Sequence, residues 1–190
     1  IGVLNHCGGL DRLGPGVRQA VTGVFQRHQH PDGYFRAEGP DETHNTDRML
    51  GRYLGYATRT FEALGSEPEY PLPEEAPPTF GGLDEASQRA WFERLPWESG
   101  WKAVDIVASR SQVLNVLPAA KAHRAREIML DLLEETQDAD GFWGGGSAYV
   151  RMSGAFKAAI AFGRHRPFPR ADAVFASLMD CVRHHRSERV

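Results

Sequence analysis

The chain has 190 residues, of which 41% are hydrophobic and 25% are charged, and its formal net charge is −3. This composition is typical of a soluble globular protein, and the lack of a basic excess argues against a nucleic-acid partner. No apolar run approaches the roughly 20 residues that span a bilayer, no signal-peptide pattern precedes the first helix, and two cysteines are too few for a disulfide scaffold. We therefore expect a single cytoplasmic domain over residues 1–190. Because the sequence begins with Ile1 rather than Met, truncation of the chain at the N-terminus is an alternative that we retain.

Apolar residues at helical spacing predict about seven helices. The first covers about 16–29, and the second, which ends at Gly65, is predicted to be capped by Thr43 or Asn45. Residues 66–82 contain five prolines and are predicted to form a long connection. The other helices are expected over about 84–95, 100–117, 119–136, 148–163 and 170–185. Since no segment alternates between apolar and polar residues, the predicted fold class is all-α.

A short motif occurs twice, as QHPDGYF over residues 29–35 and as QDADGFW over residues 137–143. Asp-Gly favours a turn because glycine takes positive φ freely, and a glutamine at a helix end can bond backbone carbonyls. The aromatic residues that follow can bury a large area against the next pair of helices. We interpret both segments as structural turns between successive helical hairpins, with an aromatic ligand platform as the alternative. The repeated order of helix, motif and helix indicates stacked or circularly arranged hairpins.

The same segments resemble a known superfamily. Residues 137–143 resemble the QW repeat of squalene and terpene cyclases. Residues 29–35, 46–48 and 63–65 follow, in order, the internal repeats of protein prenyltransferase β-subunits. The resemblance implies an α/α toroid, in which inner and outer helices alternate around a ring. Because a complete ring of six hairpins needs more than seven helices, we expect a truncated or partial toroid of antiparallel hairpins.

The metal and acid motifs of these families are missing. Prenyltransferases bind zinc through Asp, Cys and His, but neither Cys7 nor Cys181 lies in an Asp-x-Cys arrangement. The cyclase acid motif, Asp-x-Asp-Asp, has only a partial counterpart at Asp138 and Asp140, inside the second repeated motif. We therefore predict no metal site and no cofactor, with binding of a divalent metal as the alternative.

Polar residues follow each repeated motif, on helices that would line the central cavity of a toroid. Charges on such helices must be paired or solvated. The candidate acid and base groups are His44, Asp47, Asp105 and Tyr149. The candidate substrate-binding groups, which suit a carboxylate, phosphate or diphosphate, are Arg48, Arg52, Arg110 and Arg151. Lys157 belongs to the same polar set, and a solvated face with local ion pairs is the alternative interpretation.

Together these features predict an enzyme of the cyclase, lyase or transferase type. Its substrate would be a polar or anionic small molecule that binds in a central cavity, and the resemblance implies one similar to an isoprenoid diphosphate. One alternative is a lyase or glycosidase that acts on acidic sugars. Another is a non-catalytic helical-repeat module that binds a peptide, glycan or partner chain. A pocket in which His44, Asp47 and Arg48 converge would favour the enzyme.

Overall fold

The computed structural model describes residues 7, 9–37, 46–163 and 165–185, and it confirms the all-α class. Within these residues there are seven α-helices and no β-strand, apart from an isolated bridge between Gln29 and Phe35. The helices are α1 (Pro15–Arg27), α2 (Asp47–Leu64), α3 (Glu85–Glu93), α4 (Gly100–Val116), α5 (Ala119–Glu135), α6 (Ala148–Phe162) and α7 (Ala171–His185). Short 3-10 helices cover Leu10–Arg12 and Pro78–Phe80.

The predicted helix bounds are correct to within one turn, and the differences lie at the helix ends. Helix α1 ends before Gln29, so this glutamine belongs to the turn and not to the helix. The N-cap of α2 is Thr46, which makes no side-chain cap hydrogen bond, whereas the predicted caps Thr43 and Asn45 lie outside the described residues. Gly65 ends α2 with a positive φ of 61°, as the sequence predicts.

Helix α4 is the centre of the molecule, because it packs between α2 and α6. Small residues allow this close approach: a Cβ atom on Gly51 would lie 2.0 Å from Ser109 O, and one on Gly154 would lie 2.9 Å from Gly100 O. Contacts of α2 with α4 advance along both helices in the same direction, from Gly51 and Ser109 to Gly55 and Gln112. Helices α2, α4 and α6 therefore form one layer of side-by-side helices.

The remaining helices pack against this layer or against one another. Helix α1 contacts α2, α5 contacts both α4 and α6, α7 contacts α6, and α3 contacts α5. The hairpin between α4 and α5 is tight because only Leu117 and Pro118 connect the two helices. A single cluster of buried apolar side chains joins all of these elements except α1, whose Phe25 packs against it from the side. This arrangement, in which one layer of helices packs against the other helices, is compatible with a helical toroid.

The two repeated motifs, which we call the first turn motif (29–35) and the second turn motif (137–143), have the same structure. Their glycines, Gly33 and Gly141, have φ angles of 84° and 83°, which only glycine adopts readily. Gln29 Nε2 donates to the carbonyl oxygen of Tyr70 at 2.9 Å, and Gln137 Nε2 donates to that of Pro169 at 3.0 Å. Each glutamine thus links its turn, by a hydrogen bond, to the connecting segment that comes after the next helix.

The aromatic residues that end the turn motifs are core residues. Phe35 and Trp143 are 2% and 0% exposed, and the indole Nε1 of Trp143 donates to Leu133 O at 2.6 Å. Phe35 also lies against Phe61 of α2, with 6.0 Å between the ring centroids. The side chains are therefore enclosed by protein, and the geometry supports the structural interpretation of both motifs.

Each turn motif also carries an Asp–Arg ion pair that makes stability sensitive to acid. A hydrogen bond from Arg36 is the main cause that lowers the pKa of Asp32. Burial raises the pKa of Asp140, but hydrogen bonds from Arg151 and the backbone outweigh it, and the net shift is downward. A carboxyl whose pKa is lowered on folding stabilises the native state above its unfolded pKa, about 3.9 for aspartate. This contribution is lost as the pH falls below that value.

We expect Asp32→Asn and Asp140→Asn to lower the free energy of unfolding at neutral pH, and we expect this effect to shrink progressively as the pH falls below about 3.9. Asparagine keeps the side-chain oxygen that accepts from the backbone N–H two residues on, but it loses the charge and replaces the oxygen that accepts from the arginine by an amide nitrogen. Urea unfolding of each variant and of the wild type at several pH values measures the effect. A stability difference that is the same at neutral and acidic pH would contradict the ion-pair explanation.

Candidate functional site

A buried carboxylate near the middle of α4 gathers three cationic side chains. The side chain of Asp105 is 2% exposed, and Arg52 Nη2 contacts both of its oxygens, at 2.8 and 2.6 Å. Lys157 Nζ of α6 lies 2.9 Å from Oδ1, and Arg48 Nη1 lies 3.5 Å from Oδ2. We call Arg48, Arg52, Asp105 and Lys157 the Asp105 cluster. Three cations and one carboxylate leave two positive charges in excess.

The cations of this cluster remain accessible to solvent although the carboxylate does not. The exposed fractions of the side chains are 36% for Arg48, 25% for Arg52 and 21% for Lys157. A buried carboxylate is tolerated only when it is paired, and here it is paired from α2 and from α6. Asp105 therefore fixes the direction of cationic groups whose outer sides face solvent.

A groove continues from the Asp105 cluster along the helix axes. Helix α4 forms its floor, α2 forms one wall and α6 forms the other. The lining residues are Arg52, Tyr56, Arg59, Asp105, Ala108, Ser109, Gln112, Lys157 and Ile160. On α2 and on α4 these residues recur every three or four positions, which places them on one face of each helix.

The structure brings three of the predicted site residues together, namely Arg48, Arg52 and Asp105. Lys157 completes the cluster, although it is absent from the predicted binding residues. Its signal in the sequence is the segment AFKAAIAF, in which a single lysine lies among apolar residues and so requires a partner. The spacing within α6 could not identify that partner, because Asp105 lies on another helix.

Arg110 does not join this group, contrary to the expectation that it faces the same cavity. Its guanidinium is enclosed between the rings of Phe80 and Trp91, at 4.2 and 4.1 Å from their centroids. It donates to Gln88 Oε1 at 3.2 Å and to Phe80 O at 3.0 Å. Burial lowers the pKa of Arg110 to about 10. These contacts make it a packing residue between α4 and α3.

Arg151 also lies apart from the Asp105 cluster. It donates to both Asp138 and Asp140, at 2.8 and 2.6 Å, and to the backbone oxygen of Gly144 at 2.9 Å. These bonds tie the start of α6 to the second turn motif. Arg151 therefore supports that turn in the way that Arg36 supports the first, where it bonds Asp32 at 2.8 Å.

The predicted acid and base groups that the structure describes, Asp47, Asp105 and Tyr149, lie in different surroundings. The carboxylate of Asp47 accepts a short hydrogen bond from the Thr79 hydroxyl, in the long connection. Tyr149 is 68% exposed near the start of α6. His44 lies outside the described residues. Of the three candidates that the structure describes, Asp105 is the one that lines the groove.

Within the described ranges, no three His, Cys, Asp or Glu side chains are grouped so that they could hold a metal ion. None of the helices in these ranges is long and apolar enough to cross a membrane. The chain matches no protein-family model, no curated protein and no solved structure. What it binds is therefore inferred from the geometry of its own residues.

Proposed function

We propose that this chain is a partial α/α toroid that binds the anionic group of a small molecule at the Asp105 cluster. The observation that carries the proposal is the convergence of Arg48, Arg52 and Lys157 on one buried carboxylate. An isolated ion pair needs one cation, whereas this carboxylate has three. The two positive charges in excess suit a phosphate or diphosphate, which arginine recognises through several parallel hydrogen bonds.

The carboxylate orients the cations for this role. Arg52 contacts Asp105 through Nη2, and a guanidinium carries five N–H donors, so the other edge of the group can bond a ligand. Lys157 and Arg48 approach the same carboxylate from different helices, which fixes three charges within one small region. Groups held in place before a ligand arrives lose less entropy on binding.

We propose further that the ligand is similar to an isoprenoid diphosphate and that the protein is an enzyme of the cyclase or transferase type. Cationic groups fixed in advance stabilise charge that develops on a departing diphosphate, which is the contribution the cluster can make to such a reaction. The resemblance of both turn motifs to cyclase and prenyltransferase repeats supports this substrate class.

A second candidate is an enzyme that acts on acidic sugars, and Tyr56 favours it. This side chain is 52% exposed and lies in the groove beside Arg59, with 5.7 Å between the guanidinium and the ring centroid. An exposed aromatic ring beside a cation offers a surface for a sugar ring and a partner for its carboxylate. Pyrophosphate and glucuronate are therefore the two probes that separate the candidates.

We expect Arg52→Ala to weaken pyrophosphate binding by about tenfold or more, equivalent to about 1.4 kcal/mol, and Arg48→Ala to weaken it too. The fold should persist, because two cations still surround Asp105 in each variant. Isothermal titration calorimetry measures affinity, and circular dichroism checks helix content. Arg124→Ala is the matched control, since that arginine is 71% exposed and pairs with Glu85 away from the groove.

Unchanged pyrophosphate affinity in Arg52→Ala would contradict the proposed site. Binding of glucuronate but not pyrophosphate would select the acidic-sugar candidate. If the wild type binds neither probe, the anion-binding proposal fails and the helical-repeat interaction module becomes the better explanation.

A further inference from the structure

We propose that the ligand is an elongated dianion with a non-polar or ring-containing middle, and that its second anionic group binds Arg59. This inference rests on the anion-binding function proposed for the Asp105 cluster. It departs from the isoprenoid candidate, whose hydrocarbon chain carries no second anionic group, and it specifies the shape and charge of the molecule that the groove accepts. The observations that carry it are the position, the partners and the spacing of Arg59 relative to the Asp105 cluster.

The groove has two cationic centres on the same wall. Arg52 and Arg59 both line it and are seven positions apart in α2, which is close to two helical turns. With a rise of about 1.5 Å per residue, the two positions are separated by roughly 10 Å along the helix axis. Two cationic groups at this spacing suit a longer molecule better than a single phosphate.

Arg59 differs from the cations of the Asp105 cluster in its partners. Its described contacts are neutral: Nη1 donates to Gln112 Oε1 at 3.3 Å, and the guanidinium lies over the ring of Tyr56. The positive charge is thus oriented by the floor and by the wall of the groove, and no carboxylate of the described residues neutralises it. An incoming anion would supply that partner.

The part of the groove between the two cationic centres is mostly apolar. Tyr56 of α2 and Ile160 of α6 line opposite walls there, and Ala108 and Ser109 of α4 line the floor. Aromatic and aliphatic walls gain little from a charged group and favour an apolar chain or a ring. The groove therefore offers cationic sites at its two ends and a mostly apolar surface between them.

The test is a series of linear dicarboxylates of increasing length, namely oxalate, glutarate, suberate and sebacate, with octanoate as the monoanion. Affinities are measured by calorimetry for the wild type, Arg59→Gln and Arg52→Gln. Arg89→Gln is the matched control, because that arginine lies on α3 and pairs with Glu85 and Glu135. We expect suberate or sebacate to bind the wild type about tenfold more tightly than oxalate or octanoate, since a second charge-assisted contact forms.

In Arg59→Gln this advantage of length should disappear, so that suberate binds no more tightly than octanoate. In Arg52→Gln both the short and the long anions should bind more weakly. Equal affinity for all lengths, with no effect of Arg59→Gln, would overturn the inference and leave the site at the Asp105 cluster in place. If neither pyrophosphate nor any dicarboxylate binds, the proposed function fails, and the inference fails with it.

Discussion

Replacing Trp143 with alanine is expected to lower the free energy of unfolding by about 3–5 kcal/mol. The side chain is fully buried, its indole N–H donates to Leu133 O, and its ring contacts Phe168 edge-on with 5.8 Å between the centroids. The substitution removes this apolar area, leaves a cavity and removes the indole hydrogen bond to Leu133 O, which also accepts from Thr136 Oγ1. Urea unfolding followed by circular dichroism measures the loss.

Trp101→Ala is the matched control, because this tryptophan is 36% exposed on α4 and its loss should cost far less. Pyrophosphate affinity should remain that of the wild type in the Trp143 variant at temperatures where it is folded. If its unfolding curve overlays that of the wild type while ligand binding is lost, Trp143 is a ligand platform and the structural interpretation of the turn motif is wrong.

Asp105→Asn is expected to lower the free energy of unfolding by about 2 kcal/mol. Removing one partner of a fully buried ion pair costs roughly 3–5 kcal/mol, but the three cations here are partly exposed and water screens their repulsion. The variant leaves Arg48, Arg52 and Lys157 close together without a negative charge. Thermal and urea unfolding in a buffer without multivalent anions measure this loss.

Added phosphate should restore much of the stability of Asp105→Asn, because an anion can take the place of the carboxylate. Ligand at about one hundred times its dissociation constant stabilises the native state by about 2.7 kcal/mol. Asp131→Asn is the control, since this 47% exposed carboxylate pairs with Arg166 on the outside of α5 and should show no specific rescue. Equal rescue of both variants would indicate a general salt effect and would contradict an anion site at the cluster.

A second comparison separates charge from packing. The double variant Asp105→Asn with Lys157→Met removes one of the three cations and keeps a long side chain in its place. We expect it to be more stable than Asp105→Asn alone, because fewer like charges then repel one another. A double variant that is less stable would show that Lys157 acts through packing and not through charge.

The sequence by itself determined those features that depend on neighbours along the chain. Apolar spacing predicts the helices, and five prolines mark the connection at 66–82, because both signals arise from local backbone preference. The two turn motifs are equally local. Asp-Gly dictates the turn, since Gly33 and Gly141 adopt positive φ and the aspartate oxygens accept from the backbone two residues on.

Only the tertiary structure decided which polar residues meet. Arg110 and Lys157 look alike in sequence, since each is a cation on a largely apolar helix. Arg110 is nevertheless enclosed by Phe80 and Trp91, while Lys157 contacts Asp105. The difference depends on the rotation of α4 between its neighbours, which is set by contacts such as that between Gly51 and Ser109, far apart along the chain. Helical periodicity assigns a residue to a face, but the packing of other helices determines what that face contacts.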